Sequence, residues 1–385
     1  MKRRNGETAK KVPGSPVPRF SDSFSTQPPA SDPRPLRLVF MGTPEFAVPS
    51  LQALLAGEDL VVGVITQPDQ PAGRGMALHA PPVKVLAESH HIPVCQPATL
   101  RLPGALEQLQ VWQPDLIVVA AYGKMLPPAL LTLPPHGCIN VHASLLPRYR
   151  GAAPIQWAIA HGEAETGVTI MRISARMDAG DILLQRAISI TDTDTAGTLH
   201  DKLARLGAEA LGESLRLLKQ GRLVARPQNE AEATYVPLIK KEEGRIDWTQ
   251  AAVTIERRIR AFNPWPSAYT TLHGKLLKIF SARLQGSPHR SPATQSHGRS
   301  TQSHPVEQLQ GSPPQSHPVE RAERLPSHPS HPPGTVTEVT PVSLVVTTGA
   351  GYLALGEVQL EGKRRLPIEE FLKGYSLAPG LVLGT

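Results

Sequence analysis

Two stretches decide the fold: Asp115-Leu116-Ile117-Val118-Val119-Ala120 and Cys138-Ile139-Asn140-Val141-His142. The first is apolar after its opening aspartate and rich in β-branched residues, as a strand covered on both faces must be. The second starts the same way but ends in an amide and an imidazole. Working outward, Leu36-Arg37-Leu38-Val39-Phe40-Met41, which ends at Gly42, and Leu60-Val61-Val62-Gly63-Val64-Ile65 repeat the signature. Thr43-Pro44-Glu45 combines a capping residue with a proline that tolerates a first helical turn. Pro81-Pro82 opens a helix expected over 81–90. Strands alternating with helical stretches specify a mostly parallel, Rossmann-like α/β sheet with helices on both faces.

Beyond Gly167 the pattern changes. Residues 168–173 and 182–187 read as hairpin strands around Asp178-Ala179-Gly180. From 197 to 219, Leu199, Leu203, Leu206, Leu211, Leu215 and Leu218 recur at helical spacing and close the first unit. Residues 222–240 read as a linker. A helix near 251–261 follows, then alternating runs at 268–272, 276–282, 335–339, 343–347 and 352–358, the pattern of a small OB-like β-barrel. The expected divisions are a tail over 1–34, a catalytic unit over 35–221, the linker, and a C-terminal barrel over 241–385. A segment over 285–334 interrupts the barrel with ten prolines and six histidines. In it Gln302-Ser303-His304-Pro305-Val306-Glu307 recurs as Gln315-Ser316-His317-Pro318-Val319-Glu320. Such composition cannot bury enough apolar area to offset ordering entropy, so a disordered insertion grown by duplication is expected.

Composition narrows the class. Forty prolines in 385 residues is about twice ordinary usage, which argues that part of the chain does not pack. Aromatics make up only 4%, so the cores must be aliphatic. The formal charge of +7 is a modest basic excess, compatible with a polyanionic partner without demanding one. Cys95 and Cys138 share no ligand-like spacing and sit in apolar runs, as buried reduced thiols do in the cytoplasm. No apolar run reaches a membrane-spanning length, and Met1-Lys2-Arg3-Arg4 precedes no apolar signal core. A transit peptide fits Glu7, Asp22 and Asp32 poorly, so residues 1–34 are read as a disordered tail.

The chemistry centres on Asn140-Val141-His142-Ala143-Ser144-Leu145-Leu146-Pro147-Arg148-Tyr149-Arg150-Gly151. Residues two apart on a strand point the same way, so Asn140, His142 and Ser144 share one side at the carboxyl rim, where open α/β sheets bind ligands. An imidazole can exchange a proton near neutral pH, and a carboxamide can donate to an oxygen gaining charge. The plainer alternative is that Asn140 and His142 only close off loop backbone groups. Met177-Asp178-Ala179-Gly180-Asp181 places two carboxylates in a turn, one able to orient His142, although an Asx turn alone would also explain Asp-x-Gly.

These motifs together resemble the folate-dependent formyltransferase family, most of all its branch acting on methionyl initiator tRNA. Further matches are Phe40-Met41-Gly42-Thr43-Pro44-Glu45-Phe46, Gln67-Pro68-Asp69-Gln70-Pro71-Ala72-Gly73-Arg74-Gly75, Gly167-Val168-Thr169-Ile170-Met171 and Arg260-Ala261-Phe262-Asn263-Pro264-Trp265-Pro266. The resemblance runs from 36 to about 283 and resumes after the insertion. It implies a catalytic trio of Asn140, His142 and Asp178, with Ser144, Leu145, Leu146 and Pro147 contacting the folate. It implies 10-formyltetrahydrofolate as the formyl donor, no metal, and no covalent enzyme intermediate. Asn140 and a protonated His142 would stabilise a tetrahedral oxyanion, while Asp178 would hold His142 cationic and help pass the amine proton on. The Gly42-Thr43-Pro44 turn lacks a Gly-x-Gly-x-x-Gly fingerprint, so no dinucleotide is implied.

Glycinamide ribonucleotide and nucleotide-sugar formyltransferases share this chemistry. The tRNA acceptor is favoured by the 67–82 loop, whose Arg74 resembles the residue that enters the acceptor stem, and by the appended barrel. It is also favoured by 11 Lys and Arg against 6 Asp and Glu over residues 222–283. Family loops often carry lysines after Gly-Arg-Gly, whereas Met76 and Ala77 stand here. A non-catalytic RNA-binding protein retaining the fold is the reading from another class, and the intact trio counts against it. The chain is expected to act as a cytoplasmic monomer without membrane contact.

Overall fold

The computed structural model describes residues 34–72, 77–101, 103–285 and 331–384. The expected tail over 1–34 and insertion over 285–334 lie, apart from their edges, outside the described residues. The central sheet has seven strands. Five are parallel, with Arg37–Gly42 at the centre between Leu116–Ala120 and Leu60–Ile65. Cys138–His142 continues the parallel array on one side and Val94–Cys95 on the other. Glu165–Arg172 then pairs antiparallel with Cys138–His142, and Ile182–Ser189 forms the antiparallel edge.

Alternation along the central strands divides the core in two, as a two-residue period requires. Leu38, Phe40, Leu116, Val118, Ile139 and Val141 face one apolar cluster. Val39, Met41, Ile117, Val119 and Cys138 face the other, with Leu109, Trp112 and Tyr122. The first cluster is closed by the helix Ala196–Lys219, through Leu199, Leu203, Leu211, Leu215 and Leu218. At its start Thr195 and Thr198 form a reciprocal capping box, each hydroxyl accepting from the other's backbone N–H. Preceding it, the Asp194 carboxyl is nearly buried and held below its usual range, to about 2. Its desolvation opposes that shift and is outweighed by hydrogen bonds from Lys202, Thr191 and Thr198.

A separate apolar cluster underlies a six-stranded antiparallel sheet. Its path runs Ala268–Leu272, Lys275–Gln285, Tyr352–Leu360, Ser343–Thr347 and Val336–Thr340, with Leu366–Pro367 also against Tyr352–Leu360. The helix Ala252–Ala261 contributes Ile255 and Ile259 to that core. Hydrogen bonds join this unit to the first: Gly197 N–H donates to the Asn263 carbonyl, and the Arg260 side chain donates through Nη1 to the Asp194 carbonyl. The architecture is therefore a mostly parallel α/β unit followed by an antiparallel β unit. No helix among the described residues is long and apolar enough to cross a membrane.

The segment over 222–240, read from sequence as a connector, lies along the first unit. Arg226 pairs with Ile182, and the short strand Tyr235–Val236 runs parallel to Arg150–Gly151. Gly151 makes that pairing possible. It has φ of +115°, and a Cβ there would stand 2.3 Å from the Val236 carbonyl oxygen.

Candidate active site

The Cys138–His142 strand sends Ile139 and Val141 into the helix-covered core, which leaves Asn140 and His142 on the opposite side. His142 is buried, and its Nε2 lies 3.0 Å from the Tyr149 carbonyl. A carbonyl can only accept, so Nε2 carries the proton. Nδ1 is then the nitrogen turned toward Asp178, whose Oδ1 is 3.8 Å away. That spacing is an ion-pair distance, longer than a direct hydrogen bond. The other oxygen of Asp178 accepts from the Gly151 N–H at 2.9 Å. Asn140 is partly buried, and its carboxamide makes no hydrogen bond among the described residues.

Both loops that bring these groups together hold left-handed backbone. Tyr149 has φ of +61° and Asp178 of +48°, conformations rare outside glycine that persist only where the surroundings fix them. For Tyr149 the anchor is its phenol, which donates to Glu163 at 2.6 Å. Burial, followed by the Glu163 carboxylate, pushes that phenol well above its usual range. Its N–H donates to Thr234 Oγ1 at 2.8 Å. The aromatic side chain thereby sets the carbonyl that fixes the His142 tautomer.

The run from Ser144 to Pro147 is equally constrained. Ser144 is buried, and its hydroxyl donates to the Arg148 carbonyl at 2.7 Å, so its side chain serves its own loop. Fully buried Thr169 donates to the Ser144 carbonyl at 2.6 Å and accepts from Leu146 N–H at 3.1 Å. Gln185 Nε2 donates to the Leu146 carbonyl at 2.9 Å. Leu146 packs with Met171 and Ile182, while Leu145 and Pro147 remain partly exposed beside the site.

Arg74 lies outside the described residues. The base of its loop is a small hairpin, Gln70–Ala72 against Ala77–His79. Its root is tied to the sheet by Asp69, which receives hydrogen bonds from Gln96 at 2.7 Å and Lys84 at 2.8 Å. The Gln96 bond and then the Lys84 ammonium hold the Asp69 carboxyl below its usual range.

Sequence reasoning did not single out Thr169, Gln185, Arg150, Gln228 or Glu230. Arg150 has no exposed surface, and its guanidinium pairs with Glu230 and Gln228 from the connecting segment. With exposed Arg176 on its other side, Glu230 is held at about 2, first by Arg150 and then by Arg176. No local signal marks these residues. Arginine and glutamate read as solvent-facing, and neither segment has a periodicity.

The architecture is that of the formyl transferases. The family model "Formyl transferase" matches residues 36–215, and "Formyl transferase, C-terminal domain" matches 238–376. Among curated proteins, the methionyl-tRNA formyltransferase of Geobacter sulfurreducens is 44% identical over 349 residues, covering 91% of this chain and 97% of that protein. That of Citrifermentans bemidjiense is 45% identical, covering 91% of this chain and 96% of its own. The chain belongs to the methionyl-tRNA formyltransferase family. Solved structures agree on the fold. An N-formyltransferase from Helicobacter canadensis, in complex with folinic acid and dTDP-3-aminofucose, superposes with a TM-score of 0.57 at 16% identity, over 86% of this chain and all of that one. HypX from Aquifex aeolicus, in complex with tetrahydrofolic acid, gives 0.52 at 18% identity over 91% of this chain, which spans half the length of HypX.

Proposed function

We propose that this enzyme transfers the formyl group of 10-formyltetrahydrofolate to the α-amino group of methionyl initiator tRNA. Asn140, His142 and Asp178 carry the chemistry. The observation that carries this reading is the arrangement at the sheet's carboxyl rim. An unengaged carboxamide and an imidazole with one nitrogen already committed share a face, and a carboxylate lies 3.8 Å from the other nitrogen. The residues also fit the donor. Leu145 and Pro147 offer aliphatic surface for a flat ring on a backbone pinned by Thr169 and Gln185, while Asn140 can donate to the formyl oxygen.

The acceptor must arrive as a neutral amine. A free α-amino group titrates at about 7.7 to 8.0, and esterification of its carboxyl lowers that further. Its lone pair forms the new N–C bond at the formyl carbon, and the carbonyl electrons move onto oxygen. The Asn140 carboxamide donates to that oxygen; losing one such donor typically costs on the order of 100- to 1,000-fold. The amine then gives up its proton as the bond to the folate nitrogen breaks, and that nitrogen takes a proton in exchange. With Nε2–H committed to the Tyr149 carbonyl, Nδ1 of His142 is the position that exchanges the proton. Asp178 stabilises the positive charge that develops there. No bond to the enzyme forms at any step.

In this reading residues 35–221 form the catalytic unit and 241–385 the tRNA-binding unit, and Arg74 meets the acceptor stem. The chain works as a cytoplasmic monomer. The test is formyl transfer from 10-formyltetrahydrofolate to three acceptors in parallel: charged initiator tRNA, glycinamide ribonucleotide and an amino-sugar nucleotide. Formylation of the tRNA at a kcat/KM at least about 100-fold above the others is expected. Preference for either small amine would reject the acceptor assignment.

A further inference from the structure

Gln228 lies between the two family matches, yet every polar group of its side chain is spent on the site. Its Nε2 donates to the Asp178 carbonyl at 2.8 Å and to the Gly180 carbonyl at 2.7 Å. Its Oε1 accepts from Arg150 Nε at 3.0 Å and Nη2 at 2.8 Å. The partners dictate the amide's orientation. Two carbonyls can only accept and a guanidinium can only donate, so a flipped amide would lose every one of these contacts.

The far side of the bridge is rigid. Arg150 is fully buried and held by both oxygens of Glu230, at 2.9 and 3.2 Å, and by the Tyr235 hydroxyl at 2.9 Å. Its own N–H donates to the Thr234 carbonyl at 2.8 Å. Asp178 is therefore gripped twice, its carboxylate by the N–H of Gly151 and its backbone by Gln228. The left-handed backbone of Asp178 needs such support. Gly180, on the same amide, has no room to yield, because a Cβ there would stand 1.9 Å from the Arg172 carbonyl oxygen.

We propose that Gln228 is a positioning residue, supplied by the connecting segment, that holds the Asp178 backbone so that its carboxylate faces Nδ1 of His142. The inference rests on the role proposed for Asp178. Gln228 touches no reacting atom. Its contribution is to keep the 3.8 Å spacing, because misplacing a catalytic group by about 1 Å can cost on the order of 100-fold in rate.

The test is a double-mutant cycle on the full chain. Gln228→Glu keeps the side chain's size and an oxygen toward Arg150 but turns the donor facing the two carbonyls into an acceptor. Gln228→Leu removes both halves of the bridge. Each is expected to lower kcat by about 10- to 100-fold, with KM for both substrates changed by less than about threefold. In the Asp178→Asn background, adding Gln228→Glu should lower kcat by no more than about twofold, since the group it positions is already gone. Losses that multiply would overturn the proposal, as would unchanged kcat in the single variants. Failure of both Gln228 variants to fold at the assay temperature would overturn it too, by assigning the residue to the fold. If Asp178→Asn alone turned over normally, the fault would lie in the catalytic reading beneath it.

Discussion

Asp178→Asn removes one charge from the site and almost no volume. The carboxylate stands 3.8 Å from His142 Nδ1 with its side chain 17% exposed. A unit charge pair at that distance is worth about 4 kcal/mol at the effective dielectric of a protein surface and about 1 kcal/mol in water. The limited exposure places this pair nearer the first value. Since about 1.4 kcal/mol is tenfold in rate, positive charge developing on the imidazole should lose support worth on the order of 100- to 1,000-fold. The amide oxygen of asparagine can still accept from Gly151 N–H, so the loop should keep its place. Initial rates of formyl-methionyl-tRNA formation, with both substrates saturating, give kcat, and a parallel melting curve reports on folding. The expected result is that drop in kcat with the melting temperature and both KM values little changed. A variant within about fivefold of wild-type kcat would refute the argument, because the carboxylate would then contribute no more than a solvated charge.

Other consequences are independent of that one. Gly151→Ala puts a Cβ 2.3 Å from the Val236 carbonyl oxygen at φ of +115°, so it should lower the melting temperature and activity together; a silent substitution would contradict the described pairing. Asp194, depressed to about 2, contributes stability that is fully present above its unfolded value near 4 and is lost as pH falls through 2. Asp194→Asn should therefore cost roughly 2 kcal/mol in a neutral urea melt and flatten the pH 4 to 2 limb, and an unchanged limb would count against the assigned burial. Arg74→Ala should raise KM for tRNA, lower kcat, or both, leave folate binding unchanged, and keep its defect at low salt. Unchanged tRNA kinetics would remove Arg74 from the acceptor contacts.

The sequence discloses what is local and repetitive. Leu116–Ala120 reads as a doubly covered strand because nothing polar interrupts it, and it lies fully buried. The helix Ala196–Lys219 is legible from its leucine spacing to within a residue. The shared face of Asn140 and His142 follows from strand alternation, because the ligand rim of a parallel sheet is the one place where polar residues continue an apolar strand. What it hides is non-local. Arg150–Gly151 and Tyr235–Val236 are two-residue strands far apart in the chain, too short for any period to mark. Arg150 resembles any surface arginine until Gln228 and Glu230 surround it. The hydroxyl of Ser144 donates to the Arg148 carbonyl, a partner that its place in the chain does not announce. The choice of Nδ1 over Nε2 in His142 likewise depends on a turn at Tyr149 that only the folded backbone reveals.

His142 is the residue on which the proposed reaction depends most directly. Single-turnover formylation of methionyl initiator tRNA can be followed for the wild-type chain and for His142→Ala, alongside equilibrium binding of the folate donor. The prediction is rapid formylation by the wild type, a loss of about 100-fold or more in the variant, and donor binding unchanged within about threefold, because the aliphatic surface proposed for the donor, at Leu145 and Pro147, is left intact. A His142→Ala enzyme that formylates the tRNA at nearly the wild-type rate would contradict the account.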